Sequence, residues 1–369
     1  MRIRIILLFI LWLLFGGVKL HSQNKADFDT TNWLLGDNTT ITEFAGRKSL
    51  SGTAYLKNIE FLNGTIEVDF FTTGERNFGG IMFRVQSFNE YEWCWLRMHK
   101  TNGFIEDGIQ YAPVFNGAAC WQLNGGKGGI DKVFVPKNEW THMKIEVLNT
   151  TAKLFIGDMN NPAMVIDNLR LGLKKGYIGL KSNFKESVYF SNFTYMIDSD
   201  KTIENRRQTV SPNILSKWQL SPQFKIHDFS EIETYPGKRL SEIKKWIIPD
   251  IDISGLINIS KDLVRTGDDP DCAILRTYLI ADKDTTVMMN FGYSDAANIF
   301  LNQKPLFWGN SAYRSRNEAF GGWISYYDAV YLNLKKGRNE LLVLVAEVFG
   351  GWGFQAKLQE MKNISTVIE

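Results

Sequence analysis

A chain of 369 residues with 42 basic and 40 acidic side chains is close to electrical neutrality. This balance excludes the strongly basic surface on which nucleic-acid binding depends, so no nucleic acid is expected among the partners. Aromatic residues make up 13% of the chain and include 11 tryptophans. We therefore expect both a large aromatic core and some exposed aromatic side chains.

The N-terminal segment 1–22 has the pattern of a secretory signal peptide. Arg2 and Arg4 precede an apolar run over residues 5–18, and small and polar residues follow it as far as Ser22. The run is shorter than the roughly 20 residues of a membrane-spanning helix, which favours cleavage near Ser22 over an uncleaved anchor. We expect an exported protein, periplasmic or extracellular, with no membrane span after cleavage.

Short segments with alternating apolar residues fill the chain from residue 24 to residue 197. Glycine, asparagine and aspartate separate these segments, and helical periodicity is nearly absent. Alternation with a period of two predicts strands, and many short strands with turn residues between them are typical of a β-sandwich. Examples are "GTIEVDFF", "GGIMFRVQ", "EWTHMKIEVL", "AKLFIG" and "SVYFSNFTYMI".

A polar segment at 198–213 interrupts this pattern and is predicted to be a linker. A second series of strand-like segments then extends over 214–360, and "FLNQKPLF" predicts a hairpin with Asn302 and Gln303 at its turn. Glutamine lacks the freedom of glycine at positive φ, so the sequence does not decide which type of turn this is. The predicted fold class is all-β, with two β-sandwich (jelly-roll) domains in tandem after the signal peptide.

Strand alternation divides three segments of the first domain into an apolar face and a mixed face. The apolar face is expected to lie between two sheets. It contains Ile66, Val68, Phe70, Ile81, Phe83, Val85, Cys94, Leu96 and Met98. If the three segments are neighbours in one sheet, the opposite face collects Glu67, Asp69, Arg84, Tyr91, Trp93, Trp95, Arg97 and His99.

A face of this mixed composition suits sugar recognition. Aromatic rings cover the apolar C–H patches of a sugar, and fixed polar groups bind its hydroxyls. We therefore predict an oligo- or polysaccharide as the partner, bound by Arg84, Trp93, Trp95, Arg97 and His99. The alternative is that a loop or the second domain covers this face as an additional core, because large aromatic side chains are commonly buried.

A long segment rich in glycine, asparagine and aromatic residues follows at 101–132. Long loops on a rigid sheet often carry function, and this one is too long for an ordinary hairpin connection. We predict that Gln110, Tyr111, Asn116 and Trp121 close over the aromatic face and contribute to ligand binding. The alternative is a surface loop with anchoring aromatic side chains.

The first half resembles the concanavalin A-like lectin/glucanase superfamily in its laminin G-like bacterial form. The resemblance covers roughly residues 30–197 and rests on the succession of "NGTIEVDFF", "FGGIMFRVQSFNEYEWCWLRMH", "DGIQYAPVFNGAACWQ", "NEWTHMKIEV" and "GYIGLKSN". Related bacterial domains are described as 3-keto-disaccharide hydrolase-like or grouped near glycoside hydrolase family 16. The resemblance implies a jelly-roll sandwich whose concave face binds glycans.

The second half resembles galactose-binding-like jelly rolls over roughly residues 215–360, through "MMNFGYSDAANIFLNQKPLFWG" and "AVYLNLKKGRNELLVLVAEVFGGWGF". Its loop-like contexts hold several large aromatic and basic residues. These side chains suit either a sugar site at one end of the sandwich or packing against the first domain, since interdomain surfaces use the same residue types. They are Trp308, Tyr313, Arg314, Arg316, Trp323 and Trp352.

Catalytic residues are weakly indicated. Family 16 glucanases carry an E-x-D-x-(x)-E strand, to which Glu67 and Asp69 are similar, but Phe71 or Thr72 stands where the last acid is expected. A retaining mechanism needs two carboxyl groups about 5 Å apart, which this strand alone does not supply. Glu92, Glu106 or Asp107 could complete a different pair, and the sequence leaves this question open.

No cofactor is expected. Asp268, Asp269 and Asp271 offer the oxygen ligands that calcium prefers, although the same residues are ordinary turn formers. Cys94 and Cys120 form a disulfide only if their geometry permits it, and buried free thiols are the alternative.

The sequence predicts an exported carbohydrate-binding protein, non-catalytic or accessory in polysaccharide recognition or breakdown. A first alternative is a glycoside hydrolase, family 16-like or 3-keto-disaccharide hydrolase-like, that uses acids on the concave face. A second is a structural or adhesion protein that binds protein partners.

Overall fold

A computed structural model describes residues 23–126, 128–198, 210–316 and 321–369. Among these residues, helix is limited to α1 (Gly237–Glu242) and to short 3-10 turns at Gln122–Asn124, Phe229–Ile232 and Ile259–Lys261. Strands dominate the remainder, and the predicted all-β fold class is confirmed. The predicted signal peptide and most of the predicted linker lie outside the described residues.

Seventeen strands are described between residues 24 and 197, which we call the first sandwich. They are β1 (Asn24–Lys25), β2 (Trp33–Leu35), β3 (Thr40–Phe44), β4 (Arg47–Ser51), β5 (Thr53–Phe61), β6 (Gly64–Thr72), β7 (Phe78–Ser87), β8 (Glu90–Arg97), β9 (Ile109–Tyr111), β10 (Val114–Phe115), β11 (Ala118–Ala119), β12 (Ile130–Asp131), β13 (Trp140–Leu148), β14 (Thr151–Ile156), β15 (Met164–Ile166), β16 (Gly176–Ser182) and β17 (Val188–Ile197).

These strands form two antiparallel sheets. The back sheet has eight strands in the order β15-β14-β13-β6-β17-β4-β3, with β1 also paired to β17. The front sheet has nine strands in the order β11-β10-β8-β7-β16-β5-β2, with β9 pairing both β8 and β12. Thus β6 belongs to the back sheet, whereas β7 and β8 are neighbours in the front sheet.

The layer between the two sheets is the core of the first sandwich. Almost all the side chains predicted to point inward are fully buried there, namely Ile66, Val68, Phe70, Ile81, Phe83, Cys94, Leu96 and Met98. Val85 is the exception and lies on the outer side of the front sheet. The alternation of β7 breaks because its pairing with β8 shifts register after Phe83 and Arg84 adopts a φ of +50°.

A second sandwich follows. Its strands are β18 (Gln219–Leu220), β19 (Phe224–Lys225), β20 (Leu256–Asn258), β21 (Asp271–Ala281), β22 (Thr285–Ser294), β23 (Ala296–Leu301), β24 (Lys304–Asn310), β25 (Asp328–Leu334), β26 (Gly337–Glu347), β27 (Gly353–Leu358) and β28 (Ile364–Val367). A seven-stranded sheet has the order β18-β21-β26-β23-β24, with β19 and β28 also on β21. The four-stranded sheet has the order β20-β27-β22-β25.

The predicted hairpin is present, with β23 and β24 joined at Asn302 and Gln303. Both residues have positive φ, at 50° and 68°, which is the backbone of a type I′ turn. Asn302 supports this conformation by donating to the side chain of Asn339 (2.9 Å) and accepting from the backbone N–H of Glu340 (2.9 Å).

The two sandwiches are in contact through the segment that contains Gln122. Its backbone N–H donates to Gly350 O and its carbonyl accepts from Ile324 N, both at 2.8 Å. A side chain at position 350 would not fit, because a Cβ there would lie 1.8 Å from Gln122 Oε1. Main-chain hydrogen bonds therefore join the two sandwiches at Gln122. No helix in the described part of the chain is both long and apolar enough to cross a membrane.

Candidate functional site

Strand β8 presents its tryptophans on the outer side of the front sheet, as alternation predicts. The rings of Trp93 and Trp95 are stacked, with centroids 5.1 Å apart and an interplanar angle of 19°. The Arg97 guanidinium lies 5.3 Å from the ring of Trp95 and 5.4 Å from that of Trp121. Lys181 lies 4.9 Å from the Trp93 ring. This arrangement is an aromatic surface with cations over it.

The aromatic surface is covered by the protein itself. Trp93 and Trp95 are only 3% and 4% exposed, and Trp323 and Tyr313 of the second sandwich pack in the same cluster. The expectation of an exposed aromatic face is therefore wrong, and the alternative of an additional core holds. The physical reason is that the second sandwich buries more apolar area by docking here than it would by leaving the rings in water.

Several polar atoms in this covered region have no hydrogen-bond partner. They are the indole N–H groups of Trp93, Trp95 and Trp323, together with Nδ1 of His99. Buried polar groups are nearly always hydrogen-bonded, so each unsatisfied one calls for an explanation.

An open cleft adjoins this region where the two sandwiches meet. Its volume is about 440 Å³, within the range of small-molecule sites. Tyr313 and Trp323 belong both to the cleft wall and to the aromatic cluster, so the cleft is continuous with the covered face. The lining residues are Lys100, Phe104, Ile105, Glu106, Asp107, Tyr313, Arg314, Gly321 and Trp323.

Asp107 forms ion pairs with two cations beside the cleft. Its carboxylate lies 3.1 Å from Arg97 Nε and 3.3 Å from Lys100 Nζ, and its side chain is mostly buried. Burial lowers the pKa of Arg97, although the Asp107 charge opposes that shift. Burial, together with the positive charges of Arg97 and Lys100, also lowers the pKa of His99 and favours its neutral form.

Phe104 forms the apolar rim of the cleft. This residue is 82% exposed to solvent. On the opposite wall, the Arg314 guanidinium lies 5.0 Å from the ring of Tyr313. Sequence reasoning included Tyr313, Arg314 and Trp323 only as a choice between sugar binding and packing. It missed Lys100 and Phe104, which no alternation pattern singles out because they lie in a loop.

The other predicted ligand-binding residues are distributed over different environments. Gln110 is fully buried beside Arg97, with 3.5 Å between its Oε1 and Nη2 of the guanidinium. Asn116 donates to the carbonyls of Ser260 (2.9 Å) and Lys261 (3.2 Å), and so links the two sandwiches. Of these two residues, Gln110 is close to the charged end of the cleft, and Asn116 is not among the residues that line it.

Arg84 and Tyr111 lie on the inner side of the front sheet. Arg84 is fully buried and donates to the carbonyls of Leu62 and Gly172, which ties the irregular part of β7 to neighbouring loops. The Tyr111 hydroxyl donates to Glu92 (2.6 Å). Burial raises the pKa of Glu92 despite this bond. These contacts are structural, and neither side chain reaches the cleft lining.

Glu67 and Asp69 are not on the aromatic face, and that prediction is wrong. They share the outer surface of the back sheet with His142, whose Nε2 lies 2.9 Å from Glu67 and whose Nδ1 lies 2.6 Å from Asp69. The error arose because β6 was taken as a neighbour of β7, whereas it pairs with β13 and β17. No hydrolytic pair of these two acids with a group on the front sheet is therefore possible.

Of the three aspartates considered for calcium, Asp268 and Asp269 lie in a loop, and Asp271 is the first residue of β21. The Asp271 carboxylate accepts from Lys225 Nζ (3.0 Å) and from Thr266 N (2.8 Å), and Asp268 and Asp269 are exposed. Within the described ranges, no group of three or more His, Cys, Asp or Glu side chains is arranged to hold a metal ion. Calcium binding at this loop stays a prediction.

Comparison with known proteins defines the class of the first sandwich. Residues 13–195 match the model of the 3-keto-alpha-glucoside-1,2-lyase-like domain family. The predicted membership of a 3-keto-disaccharide hydrolase-like domain with a concanavalin A-like fold is confirmed for this half of the chain. The galactose-binding-like character of the second sandwich stays a prediction.

Solved structures match part of this chain at low identity. The carbohydrate binding module CBM66 from Bacillus subtilis is 18% identical, with 45% of this chain and 95% of that chain covered and a TM-score of 0.35. A galectin-like protein of unknown function from Bacillus subtilis is 11% identical (47% and 94% covered, TM-score 0.37). The Bacillus licheniformis beta-glucanase is also 11% identical (50% and 95% covered, TM-score 0.33). No curated protein matches the chain.

Proposed function

We propose that this chain is an exported carbohydrate-binding protein whose ligand occupies the cleft between the two sandwiches. The observation that carries the proposal is the composition of that cleft, which combines the exposed ring of Phe104 and the wall of Tyr313 and Trp323 with the charged groups of Lys100 and Asp107. Rings of this kind cover sugar C–H patches, and fixed charged groups bind hydroxyls.

The family match supports a carbohydrate-related role for the first sandwich. The site differs from the one expected on the sequence, because the protein covers the tryptophans of β8 and leaves the adjoining cleft open. We place the role in polysaccharide recognition, as a non-catalytic or accessory factor.

A second candidate is an enzyme, a lyase or hydrolase, and the description of the matched family favours it. The acids within the cleft are Glu106 and Asp107. The Asp107 carboxylate is engaged in ion pairs with Arg97 (3.1 Å) and Lys100 (3.3 Å), whereas Glu106 is exposed and lies 3.7 Å from Lys132 Nζ. Release of products from a polysaccharide panel, abolished in Asp107→Asn, would establish the enzyme instead.

The binding proposal is tested with the mature protein on a glycan array, followed by calorimetry on each glycan that binds. Phe104→Ala removes an exposed ring, so the fold is expected to persist while affinity falls about tenfold, or about 1.4 kcal/mol. Phe184→Ala is the matched control, because Phe184 is also exposed but does not line the cleft. Unchanged affinity in both Phe104→Ala and Tyr313→Ala would place the ligand elsewhere.

A further inference from the structure

We infer that the ligand of this cleft is an anionic sugar, one that carries a carboxylate or a sulfate group. The inference rests on the proposed function and adds the chemical class of the ligand. It comes from the charges that face the cleft and from how few of them are neutralised by the protein. The charged lining residues are Lys100, Glu106, Asp107 and Arg314.

Asp107 contributes little free negative charge. Two cations bind it, Arg97 at 3.1 Å and Lys100 at 3.3 Å. Because one carboxylate carries a single negative charge, this trio retains a net positive charge at neutral pH. A ligand in the cleft therefore meets the surplus of two cations over one anion.

Glu106 does not compensate this surplus. Its side chain is 76% exposed, and its carboxylate lies 3.7 Å from Lys132 Nζ. Solvent screens an exposed pair of this kind, so its influence within the cleft is small. The carboxylate of Glu106 therefore interacts with Lys132 and with solvent rather than with the cations of the cleft.

Arg314 adds a positive charge on the opposite wall. In the described part of the chain its guanidinium forms no ion pair, and its contact is with the ring of Tyr313. Stacking on an aromatic ring holds a guanidinium in place without neutralising it and leaves its N–H groups available. Arg314 is thus an oriented cation that faces the cleft without an anion.

Among the described residues, the positive charges at the cleft therefore outnumber the negative ones. Arg97, Lys100 and Arg314 oppose Asp107, and the remaining acid of the lining, Glu106, pairs with Lys132.

The chemistry that fits such a site is a planar or tetrahedral oxyanion on a sugar ring. The guanidinium fork of arginine binds carboxylate and sulfate oxygens in pairs, with bonds stronger than those between neutral groups. The aromatic rim would cover the ring of the same sugar. A neutral sugar would leave the positive charges unpaired, whereas a uronate or a sulfated sugar would neutralise them.

The test is calorimetry of the full mature chain with three trisaccharides of matched linkage: a hexuronate, a sulfated hexose and the neutral hexose. We expect at least one anionic trisaccharide to bind about tenfold more tightly than the neutral one, with an advantage that shrinks as NaCl rises from about 0.05 to about 0.5 M. The tighter of the two anionic ligands identifies the anion.

Arg314→Gln should weaken binding of the anionic ligand more than binding of the neutral one, and so remove most of the advantage of the anionic ligand. Arg338→Gln is the matched control, because Arg338 lies on the second sandwich and pairs with Glu369. Equal affinity for neutral and anionic trisaccharides would overturn the inference and leave the proposed function standing. Absence of binding to any glycan on the array and to all three trisaccharides would overturn both.

Discussion

Trp93 and Trp95, two residues apart on β8, stack their indole rings at a centroid distance of 5.1 Å beneath the second sandwich. The pair faces outward from its own sheet, yet it is buried as completely as a core residue. The pair is therefore part of the contact between the two sandwiches, on the side of the first sandwich. Trp323 of the second sandwich belongs to the same buried cluster and also lines the adjoining cleft.

Removing Trp323 should loosen this contact. We expect Trp323→Ala to lower the free energy of unfolding by about 3 kcal/mol, because a largely buried indole is replaced by a cavity. Tryptophan fluorescence should shift to longer wavelength as Trp93 and Trp95 become accessible to water. Trp308→Ala is the control, since Trp308 is 46% exposed, and it should cost less than about 1 kcal/mol. Equal effects of the two substitutions would contradict the docking role.

Glu347 is a buried carboxyl group near the contact between the sandwiches. Its Oε2 has no hydrogen-bond partner, and burial together with the charge of Asp295 raises its pKa. A carboxyl group whose pKa is raised by folding favours the folded state below the unfolded value of about 4.3 and penalises it as the pH rises above that value. Ionisation then stabilises the unfolded chain more than the folded one.

Replacing this carboxyl group by a neutral amide of the same shape should therefore stabilise the protein. We expect Glu347→Gln to raise the midpoint of urea unfolding at pH 8 and to change it little near pH 4. The exposed residue Glu360 supplies the control Glu360→Gln, which should have no effect at either pH. A lower midpoint at pH 8 for Glu347→Gln would show that the ionised carboxylate is needed.

The cluster of Glu67, Asp69 and His142 predicts a second pH dependence. Hydrogen bonding to Asp69, and then to Glu67, raises the pKa of His142 despite partial burial. Burial opposes ionisation of Asp69, but hydrogen bonds from His142 and Asn192 outweigh it and lower its pKa. The histidine contribution to stability is complete below its unfolded pKa of about 6.5 and is lost as the pH rises through the raised value.

Urea unfolding measured between pH 6 and pH 9 tests this relationship. The wild-type protein should lose stability across that range, and His142→Gln should flatten the loss. His227→Gln, at an exposed histidine, should retain the wild-type profile. The Asp69 contribution has the opposite sign, since it is present above the unfolded pKa of about 3.9 and is lost as the pH falls through the lowered value. A His142→Gln profile as steep as that of the wild type would refute the assignment.

The three cysteines are predicted to be unreactive in the folded protein. Cys94, Cys120 and Cys272 are buried free thiols, so Cys94 and Cys120 are not bridged. Burial raises the pKa of Cys120 to about 12 and shifts that of Cys94 in the same direction, which suppresses the reactive thiolate. A thiol reagent should modify none of them in native buffer and all three in urea. Rapid modification without denaturant would show that a thiol is exposed.

Strand alternation predicted the inner face of the first sandwich except at Arg84, which lies on the inner side, and at Val85, which lies on the outer side. Cys94, Leu96 and Met98 lie between the sheets, as expected, because side chains on a strand alternate whatever its neighbours are. Val85 departs from the pattern because the register shift after Phe83 and the positive φ of Arg84 reverse the alternation. A local rule fails where a bulge adds a residue, and a single sequence does not mark that position.

The candidate site was less accessible to sequence reasoning. Alternation showed that Trp93 and Trp95 point away from their own core, but it carries no information on what lies above them. Glu67 was assigned to the same face because the residues of β6 do not indicate which strand it pairs with. Its partner β13 lies far along the chain. Phe104 and Lys100 lie in a loop, where periodicity gives no signal.

The sequence by itself determined the strands, the composition of each face and the resemblance of the first half to a 3-keto-disaccharide hydrolase-like domain, because these follow from local alternation and from motifs in order. Only the tertiary structure decided which sheet holds β6, that Trp93 and Trp95 are buried in one cluster with Trp323 of the second sandwich, and that an open cleft remains beside Asp107. Those outcomes depend on contacts between residues far apart in the chain. Such contacts stabilise the protein only when two surfaces meet and exclude water from the apolar area between them.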